Sequence, residues 1–64
     1  MTKEEALEAL SQGHTLTHDL MLPEEHVRLK GKEYIFEDGF TTTPKLFWHD
    51  RQGPSWQTGW KILN

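Results

Sequence analysis

The sequence predicts an α+β fold: an N-terminal helix, a small antiparallel sheet with a central hairpin, a short second helix and a C-terminal strand. Three observations carry this reading. Apolar residues at helical spacing follow a capping sequence in residues 1–13. Two alternating segments flank the dipeptide Gly31-Lys32. A Thr43-Pro44 helix start then precedes an alternating C-terminal run. All of this occupies one domain, residues 1–64.

The first helix is marked at both ends. Thr2 and Glu5 have the spacing of a capping box, in which each side chain satisfies a free backbone N–H. Ala6, Leu7 and Leu10 form one narrow apolar stripe, and Gly13 suits the left-handed residue that ends a helix. The expected span is 3–12. Thr15-Leu16-Thr17 reads as a short strand, because β-branched threonines flank one apolar residue. Asp19 to Glu25 contains Pro23, which breaks regular pairing and leaves room for a helical turn.

The hairpin is the most informative segment. Glycine at the first central position specifies a two-residue type II′ turn. The register follows: Lys30 faces Glu33, Leu29 faces Tyr34, Arg28 faces Ile35, Val27 faces Phe36, and His26 faces Glu37. Val27, Leu29, Tyr34 and Phe36 then share a core face. Lys30–Glu33 and His26–Glu37 pair on the other, with Ile35 alone among them as an apolar residue. Glu37-Asp38-Gly39 is a turn. Thr43 caps a helix over 44–50 that turns Phe47 and Trp48 inward, and Gln52-Gly53-Pro54 stops it. In the final strand, 58–63, Trp60 and Ile62 share a face.

A 64-residue chain buries only about 60% of its unfolded surface, so its core is marginal without reinforcement. There is no cysteine, hence no disulfide and no thiolate zinc site. Self-association is the leading remedy, with a lone, tightly packed monomer as the alternative. Ten acidic against seven basic residues give a net charge of −3, without the basic face of a nucleic-acid binder. No apolar run reaches the roughly 18 residues of a membrane span, and residues 1–5 do not resemble a signal peptide. A cytoplasmic protein is expected.

Catalytic signatures are missing. No glycine-flanked serine elbow and no phosphate-cradling loop is present, so no enzyme, cofactor or metal site is expected. His14 and His18 lie on extended chain, where their spacing spans about 13 Å, and all four histidines read as surface residues. Trp48, Trp56 and Trp60 fall close together, beside Phe47, His49 and Arg51. Trp56 follows Gly53-Pro54-Ser55 and is expected on an exposed loop. There, beside Arg51, it suits base stacking with a guanidinium on phosphate, and equally a protein interface.

The whole pattern resembles a group of tiny phage and mobile-element proteins. It comprises Glu5-Ala6-Leu7-Glu8-Ala9-Leu10 with Gly13, Leu16-Thr17-His18, Phe36-Glu37-Asp38-Gly39, Phe47-Trp48 with Arg51, Trp56 and Gly59-Trp60. That group is in turn similar to the phage Thoeris anti-defence sponge family, formerly a domain of unknown function. The resemblance implies a homo-oligomer that sequesters a nucleotide second messenger without cleaving it, in the cytoplasm of a bacterial host. In such a sponge Trp56 or Trp48 is expected to stack a base and Arg51 to hold phosphate, with polar contacts from His18 and Tyr34. Where the sponge family carries a basic residue and a tryptophan after the first strand, this chain has Thr17-His18-Asp19-Leu20. That departure keeps a second expectation open: a phage-encoded inhibitor that binds a host or defence protein directly, as an anti-CRISPR does.

Overall fold

The computed structural model describes residues 1–63. Its order is α1 (Lys3–Ser11), β1 (Leu16–His18), β2 (Val27–Lys30), β3 (Glu33–Phe36), β4 (Thr41–Thr42), α2 (Pro44–His49), a 3-10 turn (Pro54–Trp56) and β5 (Trp60–Ile62). Among the described residues the strands form one antiparallel sheet in the order β4-β3-β2-β1-β5. The fold is α+β.

Local chemistry sets the elements. The capping box closes α1: Glu5 N–H donates to Thr2 Oγ1 at 3.2 Å, and Thr2 N–H donates to Glu5 Oε1 at 2.8 Å. Gly13 follows with a φ of 91°, open to glycine and disfavoured for other residues. The β2–β3 register is the one the type II′ turn dictates, from Lys30 opposite Glu33 to Val27 opposite Phe36. Gly31 has a φ of 64° and no non-glycine residue has a positive φ, which leaves Lys32 in the ordinary region that this turn requires. Thr43 caps α2 by accepting from Leu46 N–H at 3.2 Å, with Pro44 at the first position.

Four details differ from expectation. The buried stripe of α1 is Ala6, Ala9 and Leu10, while Leu7 stays 39% exposed; two alanines let the helix lie close to the sheet. The Pro23 region holds a single turn, closed by Glu25 N–H to Leu22 O at 2.9 Å, and no helix. β4 pairs Thr42 with Tyr34 and Thr41 with Ile35, although two residues are too few to show alternation. The cross-strand contact of His26 with Glu37 runs through the backbone: His26 N–H donates to Glu37 Oε1 at 3.1 Å.

The core lies between the helices and one sheet face. Ala6, Ala9, Leu10, Leu16, Val27, Tyr34, Phe47, Trp48 and Trp60 are buried there together. By strand alternation, Thr17, Arg28, Lys30, Glu33, Ile35, Thr41 and Lys61 occupy the opposite face. No helix among the described residues is long and apolar enough to cross a membrane.

Candidate functional site

The five residues singled out by sequence gather on two core rings: His18, Trp48 and Trp56 against Trp60, and Tyr34 and Arg51 against Phe47. Tyr34 on β3 and Trp48 on α2 meet in the core, where Trp48 Nε1 donates to Tyr34 Oη at 3.0 Å. Burial raises the Tyr34 pKa, opposed by that hydrogen bond. Trp48 also packs edge-on to Trp60 at 5.2 Å and to Phe47 at 5.0 Å.

His18 is a correction to the surface reading, being only 3% exposed. β1 and β5 place it against Trp60, its cross-strand partner, with ring centroids 4.7 Å apart. Its Nδ1 accepts the Leu20 N–H at 2.9 Å, so the proton of the neutral ring sits on Nε2 and is donated to Thr58 O at 2.6 Å. Both nitrogens are thereby engaged inside the chain. The sequence hides this role because Thr17-His18-Asp19 reads as polar; only pairing with β5 turns His18 to the core.

Trp56 is a second correction. It is half-buried, not free on an exposed loop, because the 3-10 turn folds it onto the core. Its ring lies 4.3 Å from the His18 ring at 35°, and its carbonyl accepts the Trp60 indole N–H at 2.9 Å. Arg51 sits just past the end of α2, where Nη1 donates to Phe47 O at 3.1 Å. Its guanidinium lies 4.0 Å above the Phe47 ring and 5.2 Å from the Trp56 ring. Desolvation lowers its pKa, while Asp50 and Glu25 oppose that shift.

An open surface adjoins these residues at Trp48. A groove of about 470 Å³ is lined by Lys3, Lys45, Trp48, His49, Gln52 and Gln57. Two ammonium groups and no carboxylate line it, in a chain of net charge −3. Lys3 Nζ stands 5.0 Å from the Trp48 ring centroid, a cation–π contact of about 0.5–1 kcal/mol. Of the five expected residues, Trp48 alone lines this groove. The i, i+3, i+4 spacing of Lys45, Trp48 and His49 on α2 is a signal the sequence reading passed over when it turned Trp48 inward; Gln52 lies beyond the helix end. Lys3 and Gln57 carried no such signal, since the Lys3 N–H to Gln57 O bond at 2.9 Å joins distant segments.

The remaining histidines are separate. His14 and His26 are half-buried and His49 is exposed, with its Nδ1 3.1 Å from Gln52 Nε2. Among the described residues no group of three His, Asp or Glu side chains is placed to hold a metal ion. Comparison with family models, curated proteins and solved structures finds no match to this chain.

Proposed function

We propose that this chain is a phage-type anti-defence protein that sequesters an anionic, nucleotide-type signalling molecule as a homo-oligomer, without cleaving it. The observation that carries the reading is the lysine-lined groove beside Trp48 on an otherwise acidic protein. Lys3 and Lys45 suit phosphate oxygens, and the amides of Gln52 and Gln57 suit the polar edge of a base. The groove is preferred to Trp56, Arg51, His18 and Tyr34 as the place of contact, since His18 and Tyr34 are hydrogen-bonded within the chain, Trp56 packs on the His18 ring, and Arg51 lies over the Phe47 ring with Nη1 on its carbonyl. Lys3 leaves the Trp48 ring when a phosphate draws it away, a small cost that an ion pair offsets.

Thermal shift against a panel of cyclic, linear and ADP-ribose-type nucleotides tests this. A guest at a hundredfold its Kd raises stability by about 2.7 kcal/mol, which for a domain this small is a Tm rise of about 10 °C or more. Lys3→Ala and Lys45→Ala abolish that rise while leaving the protein folded, and chromatography of the released guest shows it unaltered. A panel without a single shift removes the reading.

The second reading, an inhibitor that contacts a host or defence protein, is supported by a different observation. Leu20, Leu22, Phe40 and Leu46 are each between 58% and 64% exposed. Large apolar side chains left in water suit a protein interface better than a nucleotide pocket. A one-to-one complex with a single host protein, insensitive to Lys3→Ala and Lys45→Ala, selects this alternative.

A further inference from the structure

Two cavities of opposite character lie on the surface, one lined partly by α2 and the other by the segment between β3 and β4 with Glu25 and Arg51. One is the groove that carries Lys3 and Lys45. The other, about 240 Å³, is lined by Glu25, Phe36, Glu37, Asp38, Phe40 and Arg51. Three carboxylates and one guanidinium line it, the guanidinium lying over the Phe47 ring with Nη1 on the Phe47 carbonyl and Nε unpartnered. Each carboxylate is oriented through one oxygen. Glu25 Oε1 accepts from Leu22 N–H at 2.7 Å, Glu37 Oε1 from His26 N–H at 3.1 Å, and Asp38 Oδ1 from Phe40 N–H at 2.9 Å.

An acidic rim alone does not name a guest. Direction comes from Phe40, which lines this cavity yet remains 64% exposed, its ring centroid 6.0 Å from that of Phe36. A guest that satisfies the whole cavity brings a cation for the rim and an apolar group for the ring. The chain itself displays that combination on α2. Lys45 is exposed, and its neighbour Leu46 is 58% exposed. Lys45 has no ion pair among the described residues; Lys61 takes Asp19 instead, at 2.7 Å.

We infer that the chain self-associates head to tail, with Lys45 and Leu46 of one copy seated in the cavity lined by Glu37, Asp38 and Phe40 of a second. The Lys45 ammonium meets the carboxylate rim while Leu46 covers the Phe40 ring. Charge and apolar surface are complementary at the same two places, and both apolar groups leave water only when two copies meet. The two patches differ, so the contact is heterologous: each copy offers one of each, and association runs on to a ring or a filament. This deepens the homo-oligomeric part of the function proposed above and rests on it; Lys45 also lines the groove, so nucleotide binding is read on variants that keep it.

Sedimentation velocity over a concentration series, at low and at high salt, tests the seam. Wild type is expected to exceed the 7.5 kDa of a single copy, growing with concentration and shrinking as salt screens the contact. Lys45→Glu and Glu37→Lys each spoil one patch and keep the other. Each alone sediments as single copies, and mixing the two restores association. Phe40→Ala weakens assembly about tenfold. Glu37→Gln keeps an acceptor for the His26 N–H, so its loss of assembly reports the charge, and circular dichroism melts confirm that every variant folds. A wild type that stays at 7.5 kDa at every concentration in low salt overturns the inference. So does assembly that survives both charge reversals, or a mixture that remains as single copies. Thermal shift on wild type, Glu37→Lys and Phe40→Ala, which keep both groove lysines, keeps the two proposals apart: wild-type single copies that still shift with a nucleotide sink only the seam, and assemblies indifferent to every nucleotide sink only the guest.

Discussion

The indole N–H of Trp48 donates to the phenol oxygen of Tyr34 at 3.0 Å, inside the layer where α2 packs on β3. This one bond ties the second helix to the sheet through two polar atoms enclosed by the Phe47 and Trp60 rings. Tyr34→Phe leaves the Trp48 N–H without its partner. A loss of about 1–2 kcal/mol follows, a Tm drop of roughly 5–10 °C for a domain this small. In a double-mutant cycle, Tyr34→Phe with Trp48→Phe costs less than the two single changes summed. Strict additivity argues against the bond.

His18 holds two chain segments, β1 with its following turn and the approach to β5, through its two ring nitrogens. His18→Phe keeps a flat ring against Trp56 and Trp60 but strips both hydrogen bonds. Urea denaturation is expected to show a loss of about 1–2 kcal/mol, with a shift in tryptophan emission from the altered contact at Trp56. An unchanged urea midpoint counts against the two-sided hydrogen bonding.

Gly59 and Gly31 make a matched pair, both at positive φ. A Cβ at Gly59 lies 3.1 Å from both Asp19 Oδ2 and His18 Nε2, whereas a Cβ at Gly31 meets nothing within 4 Å. Gly31→Ala therefore carries the backbone strain alone, about 1–2 kcal/mol. Gly59→Ala adds crowding of the His18 ring and costs about 2–4 kcal/mol. Equal losses at the two sites are incompatible with this packing.

Acid sensitivity has two identifiable sources. The backbone N–H of Thr2 holds the Glu5 carboxyl below its ordinary pKa, and the hydrogen bond from Lys61, then its charge, does the same for Asp19. Because both folded-state values are depressed, the unfolded chain binds more protons across the interval between folded and unfolded values. The stabilisation is complete above the ordinary carboxylate range and is lost as the pH falls through the lowered values. Glu5→Gln and Asp19→Asn are expected to flatten the acid limb of a stability–pH profile while leaving the curve above neutrality parallel to wild type. A profile with the wild-type slope in both variants removes these carboxylates as the cause.

Thr2→Ala tests the capping box directly. Loss of the Oγ1 acceptor leaves Glu5 N–H unpaired and costs about 1 kcal/mol, read as a lower urea midpoint. Helical signal at low temperature changes little, since α1 is fixed by the burial of Ala6, Ala9 and Leu10.

At three places where bonding partners lie within a few residues, the linear chain decided the outcome. The Thr2–Glu5 capping box, the Gly31-Lys32 turn with its four-pair register, and the Thr43-Pro44 helix start are all such cases, because steric limits and short-range hydrogen bonds act locally. Inward placement of Phe47 and Trp48 also follows from local pattern. The candidate site was legible only in part. Trp48 was singled out and shares α2 with Lys45 and His49, but the groove they line is completed by Gln52 beyond the helix end and by Lys3 and Gln57, brought in from both ends of the chain.

Tertiary structure alone decided the strand order, and through it the fate of His18 and Trp56. β5 returns to pair with β1, so a histidine in a polar stretch becomes a buried, doubly bonded residue and a loop tryptophan becomes its cover. Pairing between segments some forty residues apart is settled by which arrangement buries Trp60, and that gain in apolar burial is a property of the whole packed chain.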